Sequence, residues 1–146
     1  MSISIVAATE DDIAQVLEIE REAISPPWTH GALLSEIYSG DSFFSVAARE
    51  GTVLGFVILR RMGDESELLQ IAVSKAARRN GIADLLMDAA LGYAETNALS
   101  SVFLEVRASN AAAIKLYEKH GFAPVRSRKD YYLDPVEDAI VMARGT

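Results

Sequence analysis

The stretch with the strongest chemical character is Ser74-Lys75-Ala76-Ala77-Arg78-Arg79-Asn80-Gly81. It follows a strand-like run, Leu68-Leu69-Gln70-Ile71-Ala72-Val73. It precedes Ile82, Leu85, Leu86, Ala89, Ala90 and Tyr93, whose spacings of 3, 4, 7, 8 and 11 residues from the first place them on one helical face. The first amides of a helix have no partner in their own helix, and the dipole puts partial positive charge there, so a helix start holds anions. Arg78 and Arg79 sit just ahead of it in a chain that is otherwise acidic. The unit reads as a cradle for a pyrophosphate. A plainer reading stands beside it on these residues alone: every strand–turn–helix unit has a helix start, and loop arginines are usually just solvated. The single Gly completes neither the dinucleotide pattern nor the Gly-Lys-Ser/Thr ending of nucleotide triphosphatases.

Other reactive side chains are scattered. Glu105 lies within Ser100–Arg107, where Val102, Leu104 and Val106 alternate with Phe103, Glu105 and Arg107. A carboxylate partly withdrawn from water is pushed toward the range useful to a general base. The same pattern suits an exposed strand residue or an ion-pair partner of Arg107. Tyr117 shares a helical face with Ala113, Leu116 and His120, the ordinary setting of a core tyrosine; His120 reads as a helix-end residue. Glu20 follows Ile13, Val16 and Leu17 on one stripe, either at the helix edge or with its carboxylate in a cleft. Trp28 is a core aromatic or a groove wall, and Tyr131 and Tyr132 are open to the same two readings, as core aromatics or as an aromatic loop near a groove mouth.

The elements that must position these groups follow from periodicity and punctuation. Ser4–Ala8 reads as a strand. Thr9 caps a helix that carries Glu10, Asp11 and Asp12 in its first turn and runs to Ala23. Pro26 and Pro27 break it, and Thr29 caps a second helix to Tyr38. Two strands, 43–49 and 52–61, flank Glu50-Gly51, a tight hairpin turn. After the central strand and helix come strand 100–107, a helix from Asn110 ended by Gly121, strand 122–126, the Tyr131–Pro135 loop and strand 138–143. This is an α/β fold with a mixed sheet of about seven strands and about four helices, in a single domain spanning 1–146.

The composition excludes several classes. With no cysteine and two histidines, His30 and His120, no metal site is expected. No apolar run approaches the roughly 20 residues that span a bilayer, and the start lacks the features of a secretory signal, so the expected location is the cytoplasm. A net charge of −7 disfavours a nucleic-acid binder and favours a basic partner, although solubility alone also accounts for it.

Taken together, the segments resemble the GCN5-related N-acetyltransferase (GNAT) superfamily over nearly the whole chain. Arg78-Arg79-Asn80-Gly81-Ile82-Ala83 matches its acetyl-CoA loop, Gln/Arg-x-x-Gly-x-Gly/Ala. Leu104-Glu105-Val106-Arg107-Ala108-Ser109-Asn110 with Leu116-Tyr117-Glu118 and Gly121-Phe122 resembles the branch that acetylates the N-terminal alanine of a small-subunit ribosomal protein. Pro27-Trp28-Thr29, Tyr131-Tyr132 and Glu137–Met142 resemble that branch too. The resemblance implies acetyl-CoA as the acetyl donor, contacted by Ile71, Ala72, Val73, Arg78, Arg79, Asn80, Gly81, Ile82, Ala83, Asp84, Asn110 and Tyr117. It implies that the Val73 amide holds the developing oxyanion, that Glu105 is the general base and that Tyr117 is the acid for the leaving thiolate. Trp28, Glu20 and Tyr131 are expected to meet the substrate, the N-terminus of a basic ribosomal protein, with no direct nucleic acid or membrane and a monomer or weak dimer. The rivals are a GNAT enzyme for another amine (a protein lysine, a polyamine or a small molecule) and an acyl-CoA-binding module without the reaction.

Overall fold

The computed structural model describes residues 2–145. In chain order its elements are β1 (Ser4–Ala7), α1 (Ile13–Ala23), α2 (His30–Tyr38), β2 (Ser42–Arg49), β3 (Thr52–Met62), β4 (Glu65–Val73), α3 (Ile82–Thr96), β5 (Ser101–Arg107), α4 (Ala111–Lys119), β6 (Ala123–Tyr132) and β7 (Glu137–Gly145). Short 3-10 turns at Glu10–Asp12 and Lys75–Ala77 precede α1 and α3. The capping follows the sequence. The Thr29 hydroxyl accepts from the Ala32 amide at 3.1 Å, and Asn110 Oδ1 accepts from the Ala113 amide at 3.1 Å.

The strands form one sheet in the order β1-β2-β3-β4-β5-β7-β6. Every pairing is antiparallel except β4 with β5. Ile13, Val16, Ile19 and Leu33 of α1 and α2 bury against Phe44, Val46, Phe56, Ile58 and Ala72 on one face. On the other, Ile82, Leu86, Met87 and Ala90 of α3 and Tyr117 of α4 pack on Val57, Leu59, Leu68, Val102 and Leu104. Burying these apolar surfaces is the main favourable term of folding.

Two irregularities of β4 give the middle of the sheet its shape. Its parallel pairing with β5 is confined to Ser66↔Val102 and Glu67↔Phe103. Beyond those residues the two strands run on without pairing, so the edge of β4 from Leu68 to Val73 is open. On its other side, the register with β3 shifts between Ile58↔Gln70 and Leu59↔Leu68, which leaves Leu69 as an extra residue that bends the strand. Close packing is demanded nearby: a Cβ at Gly55 would lie 2.8 Å from the Ala72 carbonyl oxygen and 3.1 Å from Leu86 Cδ1.

The structure departs from the sequence reading at three places. The central strand begins at Glu65 rather than Leu68. The sixth strand continues to Tyr132, so Tyr131 and Tyr132 end a strand instead of lying in a loop. In α1, Ile19 and Glu20 are buried with Ile13 and Val16, whereas Leu17 is only partly buried.

Candidate active site

The loop between β4 and α3 is shaped by backbone conformation. Arg79 and Gly81 both take positive φ, 68° and 72°, and Gly81 adopts it without strain. Asn80 folds back over the turn, its Nδ2 donating to the Ala77 carbonyl at 3.0 Å and the Arg78 carbonyl at 3.4 Å. Among the described residues the amides of 79–84 have no acceptor. Leu85 is the first that does, bonding to the Gly81 carbonyl at 3.2 Å. A run of free amides around two positive-φ residues, followed by a helix start, is an arrangement suited to an anion.

These amides border a cleft of about 370 Å³ lined by Ile71, Ala72, Val73, Arg78, Arg79, Gly81, Ile82, Ala83 and Asp84, with Ala112, Ala113 and Leu116 of α4 opposite. Asn80 shapes the loop from outside the lining. Asn110 caps α4, and Tyr117 lies one residue beyond Leu116. The Asp84 carboxylate is committed elsewhere. It accepts from Lys119 Nζ at 2.9 Å and meets His120 Nε2 at 2.8 Å. Those contacts, His120 first, hold its carboxyl below the usual carboxylate range. An acid that would repel an anion is thereby tied to the end of α4, leaving its amide to the cleft.

The ladder sets the direction of the β4 amides. Ser74 donates to the Leu54 carbonyl at 2.8 Å. In an antiparallel ladder this makes Val73↔Gly55 and Val57↔Ile71 the pairs that exchange no hydrogen bonds. The N–H and C=O groups of Ile71 and Val73 therefore face away from β3, into the open edge. Arg78 Nε reaches the Val73 carbonyl at 3.3 Å. Free loop amides, two arginines and an open strand edge fit an extended, pyrophosphate-bearing ligand such as acetyl-CoA.

On the other face of the sheet, Glu105 projects with Phe103 and Arg107, since Val102, Leu104 and Val106 point into the α3–α4 core. Its Oε2 accepts from Arg128 Nη1 at 2.8 Å and its Oε1 from the Tyr131 hydroxyl at 3.1 Å. The Arg128 guanidinium lies 4.5 Å from the Tyr131 ring centroid. Arg107 is not the partner of Glu105. Glu105, Glu67 and Arg128 line a hollow of about 320 Å³. Within it, burial and then the Glu105 charge push the Glu67 carboxyl up. Trp28 lines a separate hollow beside Pro27, Glu36 and Arg60.

Tyr117 is 9 % exposed and meets Phe122 edge-on at 5.9 Å. Burial, with a smaller contribution from Tyr132, pushes its hydroxyl up to about 12. It therefore keeps its proton throughout the neutral range.

Glu20 is 0 % exposed, neither at the helix edge nor open to a cleft. Its Oε2 accepts the Trp28 amide at 3.1 Å, while its Oε1, like that of the neighbouring Gln70, is buried without a donor. As a direct substrate contact it is corrected to a support for the 24–29 loop. Burial raises its carboxyl, and the Trp28 amide and Gln70 side chain only partly offset this. The native state then binds more protons than the unfolded one between the unfolded value near 4.5 and the folded value. Stability accordingly falls as pH rises through that window. Glu20→Gln keeps an acceptor for Trp28 and adds a donor beside Gln70. Urea unfolding should show the variant about 1 kcal/mol more stable at pH 7.5, with the difference closing toward pH 4.5. A wild type more stable at pH 7.5 would contradict this.

Arg128 and Glu67 were not singled out by sequence. The signal for Arg128 was the alternation of Arg126 with Arg128, visible only once the strand is carried past Arg126.

Residues 13–122 match the family described as Acetyltransferase (GNAT) family. The [ribosomal protein bS18]-alanine N-acetyltransferase of Haemophilus ducreyi is 34% identical over 138 residues, which cover 92% of this chain and 94% of that protein. The Escherichia coli K12 enzyme of the same name is 35% identical over 135 residues, 90% of each chain. The crystal structure of the Escherichia coli ribosomal-protein-S18-alanine N-acetyltransferase superposes with a TM-score of 0.91 at 32% identity, covering 99% of this chain and 94% of that one. Ard1 from Thermoplasma volcanium gives 0.92 at 29% identity over 100% and 99%. With the cleft, the open strand edge and these relatives in agreement, the chain belongs to the GNAT family and is an N-acetyltransferase that draws its acetyl group from acetyl-CoA.

Proposed function

We propose that this chain acetylates the N-terminal α-amine of a small-subunit ribosomal protein that begins with alanine, the reaction named for its bS18-modifying relatives. The observation that carries the reading is the open edge of β4 beside six free amides, on the same stretch of sheet that presents Glu105. Bound there, acetyl-CoA supplies the acyl group as a thioester. The amides of 79–84, with Arg78 and Arg79, hold the pyrophosphate. The edge groups of Ile71 and Val73 align the pantetheine arm like an added strand, and the Val73 N–H faces the oxygen that gains charge as the amine adds. An α-amine has an unperturbed pKa near 8, so about nine-tenths of it is protonated at pH 7 and cannot attack. Glu105 takes that proton, directly or through a water. Each of its oxygens accepts one bond, from Arg128 or Tyr131, and keeps a second acceptor site for the incoming donor. Tyr117 gives its proton to the departing thiolate, and the second proton that the nitrogen sheds as the amide forms passes through water to restore the phenol.

Steady-state assays with an Ala-Arg-starting peptide, an internal-lysine peptide and polyamines test the acceptor. Turnover should be fastest on the free alanine terminus by tenfold or more. Preference for lysine or a polyamine would assign the chain to another amine, and acetyl-CoA binding without turnover would make it a binding module. Tyr117→Phe should lower kcat by about 10²-fold with little change in melting temperature, at the low end of general-acid effects. A melting-temperature loss with unchanged kcat would return Tyr117 to a purely structural place in the core.

A further inference from the structure

Arg107 stands two residues after Glu105 on β5 and shares its face, yet it makes no contact with that carboxylate. Its guanidinium is spent on backbone. Nη2 donates to the Ser25 carbonyl at 3.3 Å and to the Leu133 carbonyl at 3.3 Å. Nη1 donates to the Pro135 carbonyl at 3.1 Å and to Glu137 Oε1 at 3.4 Å. The plane lies 4.4 Å from the Tyr132 ring centroid. Ser25 belongs to the α1–α2 loop and Leu133 and Pro135 to the β6–β7 loop. Among the described residues no direct hydrogen bond joins these two loops. Each is tied to Arg107. Glu137 extends the tie, its other oxygen accepting the Ser109 amide at 2.6 Å just ahead of α4.

The geometry points to Arg107 as a positioning residue that sets the width of the acceptor groove and the placing of the base. Resting on the acceptor site proposed above, with Trp28 and Tyr131 as its substrate contacts, it ties the loop before Trp28 and the loop after Tyr132 to β5, the strand that carries Glu105. Through Tyr132, which meets Tyr131 edge-on at 5.0 Å, it also steadies the hydroxyl that holds Glu105. Only a planar fork with several donors serves three carbonyls from two loops at once; a lysine is a point donor and cannot. Three bonds from one charged group to backbone carbonyls are stronger than neutral ones and hold otherwise independent loops in register.

The test is Arg107→Lys and Arg107→Met assayed with the alanine-starting peptide beside wild type, with hydrogen exchange on the same proteins. The expected result is a rise of tenfold or more in KM for the peptide and a fall in kcat, with KM for acetyl-CoA changed less than twofold. The amides of Ile24, Ser25, Trp28 and Thr29 and of Leu133, Asp134 and Val136 should exchange faster in Arg107→Lys while those of β5 and β7 keep their protection. Wild-type KM for the peptide in both variants, or loop protection unchanged in Arg107→Lys, overturns the inference. Equal losses for peptide and acetyl-CoA, with protection lost throughout the sheet, also overturn it by making Arg107 a general stabiliser. Absence of peptide turnover in wild type would count against the proposed acceptor instead, and loop exchange would still decide the role of Arg107.

Discussion

Glu105→Gln is expected to lower turnover on an alanine-starting peptide by about 10³-fold while leaving CoA affinity, read by calorimetry, within about twofold of wild type. Glutamine has the shape of the carboxylate and keeps an oxygen for Arg128 or Tyr131, which bond Glu105 at 2.8 and 3.1 Å. It cannot take a proton. The variant should fold and bind the nucleotide through the loop before α3, which lies apart from Glu105 and shares no lining residue with its hollow. Turnover equal to wild type would remove Glu105 from the mechanism. Loss of CoA affinity along with turnover would mean that the carboxylate holds the sheet together rather than the proton.

The order of elements was legible because each boundary carries a local signal: Thr29 and Asn110 at helix starts, Gly121 at a helix end, Pro26 and Pro27 between helices. What failed was non-local or lacked a pattern. β6 is exposed along nearly its whole length, so no inward and outward alternation marks it, and its extent is set only by backbone pairing to β7. Glu20 reads as an acid at a helix edge or in a cleft, but its ligand is a backbone amide eight residues on and its neighbour Gln70 is fifty residues away. The loop between β4 and α3 was legible as a turn with two arginines ahead of a helix start. The splaying of β4 from β5 was not, since both runs have the composition of fully paired strands and nothing in either announces that they pair at two positions only.

The open edge gives a second large effect. Proline within a sheet is tolerated only where the lost N–H was not bonded to a neighbouring strand. Val73 meets that condition. Its partner Gly55 is opposite without exchanging hydrogen bonds, while Ser74 carries the ladder bond to Leu54. The preceding residue, Ala72, is already extended, as a residue before proline must be. Val73→Pro should therefore fold, with a melting temperature near wild type, and still bind CoA through the amides of 79–84. Turnover should fall by about 10² to 10³, the effect of removing one donor from an oxyanion site. The neighbouring Ala72→Pro supplies the contrast: the Ala72 amide faces β3, and proline there breaks the ladder and lowers the melting temperature sharply. If Val73→Pro turns over normally, the oxyanion is stabilised elsewhere. If Val73→Pro unfolds and Ala72→Pro does not, the direction assigned to the β4 amides is reversed, and the edge that faces the cleft is the wrong one for this chemistry.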